Sequence, residues 1–201
     1  MIHLIIGGAR SGKSAFAEKT LLSECATPVY IATASALDNE MRSRIAHHQQ
    51  SRSSNWRLIE CPLELGKLLL NEAQHISQGS PRHYLIDCLT LWLNNIIYQY
   101  DKQLSAINYE PTIEQYEKIS AGIENAIADF IEQLSAVKNS NINITLVSNE
   151  VGLGITPLGI ISRLFIDHCG RLNQRVAQLA DRVTLITAGL PLDLKSPGKI
   201  L

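Results

Sequence analysis

Eight consecutive residues near the N-terminus, Gly7-Gly8-Ala9-Arg10-Ser11-Gly12-Lys13-Ser14, limit what this chain can fold into more than anything else in it. They fit the pattern Gly-x-x-x-x-Gly-Lys-Ser, directly after the apolar run His3-Leu4-Ile5-Ile6 and directly before a stretch of helical spacing from Ser14 to Cys25. A strand that stops in glycines and restarts as a helix can turn its backbone N–H groups inward. The helix N-terminus adds positive potential and Lys13 a full charge, which together suit the β and γ phosphates of a nucleotide. Ser14 would add a hydroxyl for Mg²⁺. The competing reading, a plain glycine-rich turn, does not account for the lysine and serine in register.

Short β-branched runs recur at Leu4 to Ile6, Val29 to Ala32, Tyr84 to Ile86, Ile144 to Val147 and Val183 to Ile186, and each is expected to be a buried strand. Longer stretches of helical spacing separate them, so the fold class is α/β, with a mainly parallel central sheet flanked by helices. The clearest helix is expected from Thr112 to Val137, with Ile113, Tyr116, Ile123, Ile127, Phe130, Leu134 and Val137 on the core face. Gln99 to Pro111 and Lys138 to Asn143 are polar and read as connections. At 201 residues the chain is expected to form one domain, residues 1–201, around one core.

With 45% hydrophobic and 18% charged residues the chain is too apolar for disorder, yet no apolar run nears the roughly 18 residues that span a bilayer. The run before the glycines is too short for a secretory signal, so a cytoplasmic protein is expected. A net charge of -1 leaves no broad basic field, which argues against nucleic acid as a partner. Cys25, Cys61, Cys88 and Cys169 are scattered without a Cys-x-x-Cys pair and read as reduced thiols in or near the core, neither zinc site nor disulfide.

Phosphoryl chemistry on such a loop needs a second acid for the metal, normally at the end of a neighbouring strand, and Tyr84-Leu85-Ile86-Asp87 supplies it. Asp87 could also cap the following helical stretch Leu89 to Ile97, and the two roles can coexist. After the second strand, Asp38 can start a helix that puts Leu37, Met41, Ile45 and His48 near one stripe and Glu40, Arg44, His47 and Ser51 near another. His47 would then be accessible with Arg44 close by, as a phosphate-attacking imidazole requires. Taken alone, a helical surface histidine is more often simply solvated.

The balance shifts with the combined residues. Gly-Gly-Ala-Arg-Ser-Gly-Lys-Ser, Tyr30-Ile31-Ala32-Thr33, Asp38-x-Glu40-Met41-x-x-Arg44-Ile45-x-His47, Arg52, Trp56, Glu60, Asp87-Cys88-Leu89-Thr90-Leu91-Trp92, Asn149-Glu150-Val151-Gly152 and Gly170-Arg171-Leu172-Asn173-Gln174-Arg175 occur together along nearly the whole chain. The sequence resembles the bifunctional adenosylcobinamide kinase/adenosylcobinamide-phosphate guanylyltransferases of cobalamin biosynthesis. The resemblance implies a RecA-like P-loop NTPase fold, trimeric in the family, and two reactions on a corrinoid. A nucleoside triphosphate, ATP or GTP, phosphorylates the aminopropanol hydroxyl of adenosylcobinamide. GTP then guanylylates a histidine, corresponding to His47, and the GMP passes to adenosylcobinamide phosphate. The family's nucleotide contacts map onto Gly7, Gly8, Ala9, Arg10, Ser11, Gly12, Lys13 and Ser14, onto Thr33, Ala34 and Ser35, onto His48, Gln49, Gln50 and Ser51, and onto Glu60 and Asp87. Ser14 and Asp87 would serve Mg²⁺. Glu60 could accept from guanine N1 and N2, donors that adenine does not offer as a pair, or be a solvated acid at a strand end.

Two other readings stand beside this one. A plain P-loop small-molecule kinase would leave His47 without chemistry. A regulatory GTP-binding switch would need Asp-x-x-Gly after the second metal acid and an Asn-Lys-x-Asp motif. Asp87 is instead followed by Cys88-Leu89-Thr90, and Asn-Lys-x-Asp is absent.

Overall fold

The structure is a computed structural model that describes residues 1–34, 56–75, 81–100 and 111–200. In chain order its elements are β1 (Ile2–Gly7), α1 (Lys13–Glu24), β2 (Val29–Ala32), β3 (Arg57–Glu60), α2 (Leu65–Gln74), β4 (Arg82–Asp87), α3 (Leu89–Tyr100), α4 (Ile113–Val137), β5 (Ile142–Asn149), α5 (Ile160–Leu179), β6 (Arg182–Thr187), β7 (Leu190–Ser196) and β8 (Lys199–Ile200). One eight-stranded sheet runs β3-β2-β4-β5-β1-β6-β7-β8. The pairings from β3 to β6 are parallel, and β7 and β8 are added antiparallel. β5 lies between the strand that feeds the glycine loop and the strand that ends in Asp87. That is the RecA-like order of a P-loop NTPase fold.

Both faces of the sheet are covered, which is why its strands read as continuous apolar runs. Neighbouring residues point to opposite sides: Leu4, Ile31, Ile86 and Leu146 join the larger core beneath α2 to α5, whereas Ile5, Tyr30, Leu85 and Val147 join a smaller one with Ala17 and Leu21 of α1. α4 starts in a capping box, with Thr112 accepting from the Gln115 N–H and the Gln115 side chain accepting from the Thr112 N–H. It buries Ile119, Ile123, Ile127, Phe130, Leu134 and Val137. Ile113, expected on that face, is 80% exposed, because the first turn of α4 extends past the core. Gly66 lets α2 approach α4 closely: a Cβ there would lie 1.8 Å from Gln133 Oε1.

The five strands expected from sequence are all present, each within two residues at its ends except Val29–Ala32, which matches throughout. Three strands escaped the pattern. β3 is a four-residue edge strand with Arg57, Leu58 and Glu60 exposed, and β7 carries Pro191 and four exposed residues from Leu190 to Asp193. β8, at the other edge, is only two residues long, and strands at or next to a sheet edge lack the two-sided burial that produces a readable apolar run. α5 also escaped, since two of its six buried residues, His168 and Asn173, are polar and blunt the stripe. All four cysteines are free; Cys61, Cys88 and Cys169 are buried and Cys25 is partly so. Among the described residues no helix is long and apolar enough to cross a membrane.

Candidate functional site

The register brings the expected site residues to one edge of the sheet. Gly7 pairs with Asn149, and Ala32 pairs with both Glu60 and Asp87, so five strand ends terminate in one row. Glu60 and Gly7 are four strand spacings apart, about 19 Å at the usual ~4.8 Å spacing. An extended ligand anchored at the glycine loop would therefore have its far end near β3.

The loop from Gly7 to Ser14 is closely packed at its base and open at its crest. Gly7 is buried, and a Cβ there would sit 2.5 Å from the Ile186 carbonyl oxygen and 2.6 Å from Ser11 Oγ, so only glycine fits. Gly8, Ala9, Arg10 and Gly12 are exposed. Arg10 (φ 57°) and Gly12 (φ 92°) take left-handed conformations that turn the chain back on itself before α1. The Ser11 carbonyl accepts from the Gly189 N–H at 2.9 Å, and the Gly7 carbonyl accepts from the Glu150 N–H at 3.0 Å, so the loop is tied down at its base and again just before Gly12. Lys13 is 9% exposed and donates to the Gly8 carbonyl at 3.1 Å. Burial pushes its pKa down, opposed by Cys88 and Asp87, which places the lysine within electrostatic reach of the β4 terminus. Ser14 lies partly exposed in the first turn of α1.

Asp87 is partly exposed at the end of β4, and its Oδ2 accepts from the Tyr30 hydroxyl at 2.9 Å. Tyr30 is 2% exposed, its ring braced edge-on by Trp56 at 5.8 Å. For Mg²⁺, one or two protein oxygens suffice when phosphates and water complete the shell. A hydroxyl on Ser14 and a carboxylate on Asp87 with one oxygen already oriented suit that requirement, and among the described residues no cluster of three or more His, Cys, Asp or Glu offers a closed cage.

Beneath the row of strand ends runs a buried polar network. Thr33, 0% exposed, accepts from the Cys88 N–H at 2.8 Å and donates to the Cys88 carbonyl at 2.7 Å. Asn95 donates to the carbonyls of Thr33 at 2.7 Å and Pro62 at 3.0 Å. Thr90 Oγ1 accepts from the Asn149 N–H and side-chain amide, both at 3.0 Å, and Asn173 donates to the Asn149 carbonyl at 3.1 Å. Thr33 thus presents no hydroxyl to solvent; its side chain ties β2 to the residue after Asp87. Ala34, beside it, is partly exposed. Thr33→Val is expected to leave the Cys88 N–H unpaired, with the Cys88 carbonyl keeping only the Trp92 N–H as donor, and to lower stability by about 2 kcal/mol. Thr33→Ser should retain most of it, as chemical denaturation of the pair will show. Nothing in the local sequence signals Tyr30, Thr90 or Asn95 as site supports, because each acts on a strand distant in the chain.

A family model described as cobinamide kinase/cobinamide phosphate guanyltransferase matches residues 3–194. The chain belongs to this family. It is similar to the bifunctional adenosylcobalamin biosynthesis protein CobP of Pseudomonas aeruginosa, 40% identical over 97% of this chain and 98% of that protein. It is also similar to the bifunctional adenosylcobalamin biosynthesis protein CobU of Salmonella typhimurium, 37% identical over 97% of this chain and all of that one. Among solved structures, the assembled ATPase EscN of the enteropathogenic E. coli type III secretion system aligns with 93% of this chain and 43% of its own, at a TM-score of 0.48 and 12% identity. As a member of the cobinamide kinase/guanyltransferase family the chain is an enzyme of corrinoid metabolism with a nucleotide-binding P-loop fold. The loop, Lys13, Ser14, Thr33, Ala34, Glu60 and Asp87 are brought to one sheet edge. Ser35, His47, His48, Gln49, Gln50 and Ser51, with the helix expected to carry the histidines, lie outside the described residues.

Proposed function

We propose that this chain, as a single catalytic domain, phosphorylates adenosylcobinamide with a nucleoside triphosphate and then guanylylates the product through His47. The observation that supports this reading most is the row of Gly7, Asp87 and Glu60 along one sheet edge in a member of the cobinamide kinase/guanyltransferase family. In the first reaction the aminopropanol hydroxyl oxygen attacks the γ-phosphorus, its bond to the β-phosphate oxygen breaks, and the hydroxyl proton leaves to solvent. In the second, a neutral imidazole nitrogen of His47 attacks the α-phosphorus of GTP and pyrophosphate departs. The phosphate oxygen of adenosylcobinamide phosphate then displaces the imidazole, giving adenosylcobinamide-GDP.

Splitting the transfer at a phosphoramidate divides one difficult displacement into two in-line steps. Lys13 and the N–H groups from Gly7 to Ser14 hold the phosphates, with Thr33, Ala34, Ser35, His48, Gln49, Gln50 and Ser51 around the nucleotide. Glu60 accepts from the guanine edge at the far end of the row. Ser14 and Asp87 would hold Mg²⁺, which supplies charge neutralisation on the transferring phosphate. A cytoplasmic homotrimer completes the reading, by similarity to the family.

Intact-mass measurement after incubation with GTP and Mg²⁺ tests it. The expected result is one added GMP moiety, acid-labile and base-stable, retained in His48→Ala and absent in His47→Ala. An unmodified wild-type protein that still turns over would leave only the kinase.

A further inference from the structure

The segment that leaves β5 is unusual in having no charge and almost no cover. Residues 151–162 contain no Asp, Glu, Lys, Arg or His, yet Leu153, Ile155 and Leu158 are 87%, 98% and 96% exposed. Single exposed aliphatic side chains are ordinary on a protein surface; three within six residues, next to an apolar groove, mark a binding surface. The groove, about 490 Å³, is walled by Val151, Ile155, Pro157 and Phe165, with polar groups from Asn94 and Ser162. That volume and mixed lining suit a small-molecule site.

Its position ties it to the phosphate loop. The Glu150 N–H donates to the Gly7 carbonyl at 3.0 Å, and the Glu150 carboxylate accepts from the Gly152 N–H at 2.7 Å, so the segment is rooted on the first residue of the loop. Asn94 comes from α3, which starts two residues after Asp87. Arg163 donates to the Pro157 carbonyl at 3.2 Å and to the Leu158 carbonyl, holding the turn that presents Leu158. The backbone is thus fixed while the side chains project.

We infer that this charge-free segment and its groove seat the corrin macrocycle of the acceptor, beside the loop that holds the nucleotide phosphates. The inference rests on the functional reading above and names where its second substrate binds. Residues 151–162 offer a triphosphate no cationic side chain, which argues against the nucleotide as the occupant. A corrin ring, bulky and fringed with methyl groups and neutral carboxamides, matches aliphatic contacts interrupted by an asparagine and a serine. Its reacting hydroxyl is carried on a flexible arm, so the ring must rest beside the phosphate site and not in it. A surface anchored at Gly7 meets that condition.

Ile155→Ser and Leu158→Ser test the assignment, since side chains this exposed contribute no core contact. Cobinamide affinity, measured by calorimetric titration, is expected to weaken at least tenfold in each, with GTP affinity measured alongside to verify the fold. Hydrogen exchange across residues 151–159 of the wild-type protein is expected to slow when cobinamide is added. Affinities within twofold of wild type, or no slowing of exchange, would overturn the inference. So would a change in particle mass by light scattering in either variant, which would assign the segment to contact between copies. A wild-type protein that binds no cobinamide would overturn the functional reading itself, a result distinct from variants that selectively lose a ligand the parent binds.

Discussion

Lys13→Ala is expected to lower turnover of both reactions by about 10²–10³-fold while leaving the unliganded protein as stable as before or slightly more so. The magnitude follows from the ~3–4 kcal/mol typically lost when one preorganised group that stabilises developing negative charge is removed. The stability follows from what Lys13 touches: it is 9% exposed and its ammonium donates to the Gly8 carbonyl at 3.1 Å. A charge held this way remains disfavoured, and burial accordingly lowers its pKa from the ordinary 10.5. Just below pH 10.5 the unfolded chain binds more protons at this site than the folded one, so stability rises with pH through that window. Lys13→Ala should remove that rise, and bound triphosphate should reduce it by favouring the charged ammonium. Urea titrations at neutral and alkaline pH, with and without GTP, alongside steady-state rates, will measure all three effects. Arginine is not expected to rescue the rate, because a planar guanidinium is larger than the ammonium seated beneath the loop.

Acidification is expected to destabilise the fold by about 3 kcal/mol through one residue far from the chemistry. His3, 3% exposed on β1, has its pKa lowered to about 4 by burial first and by Arg182 second, with Asp193 opposing. The Thr184 hydroxyl donates to Asp193 Oδ1 at 2.8 Å, so its contact with His3 Nε2 at 2.9 Å must be one in which the imidazole donates. With its pKa lowered to about 4 His3 is neutral at pH 7, and the donation to Thr184 puts its one proton on Nε2. Protonation would place a second N–H, on Nδ1, in the buried site. Since the folded pKa lies below the unfolded 6.5, the unfolded chain takes up the proton first, and stability falls as pH drops from about 6.5 to about 4. A 2.5-unit difference at ~1.36 kcal/mol per unit gives the stated magnitude. His3→Gln, which can still donate to Thr184, should flatten the denaturation midpoint over that range. The further loss at lower pH, where Asp181 and Asp193 protonate, should persist: their pKa values lie below the ordinary carboxylate value.

His3 also shows where sequence reading stops. It sits in the apolar run that announces β1, and nothing local distinguishes a donor to a threonine 181 residues away. Thr33 poses the same problem: nothing local in the sequence shows that its hydroxyl is taken by both backbone groups of Cys88, 55 positions away. Asp87 was legible, because an acid ending a buried strand is a local pattern with a chemical reason. Tyr30, which orients it, was not, because the contact spans 57 positions.

From sequence alone came the phosphate loop, the five buried parallel strands, the long helix α4 and the family, since all depend on patterns confined to short windows or on motifs strung along the chain. Tertiary structure decided the strand order, the edge strands, the polar network under Cys88 and Asn149, and the exposed apolar segment beside the loop. Those depend on which residues meet across strands and on which side chains nothing covers. Burial and cross-strand pairing are properties of the packed chain, and neighbours distant in sequence leave no mark on the local pattern.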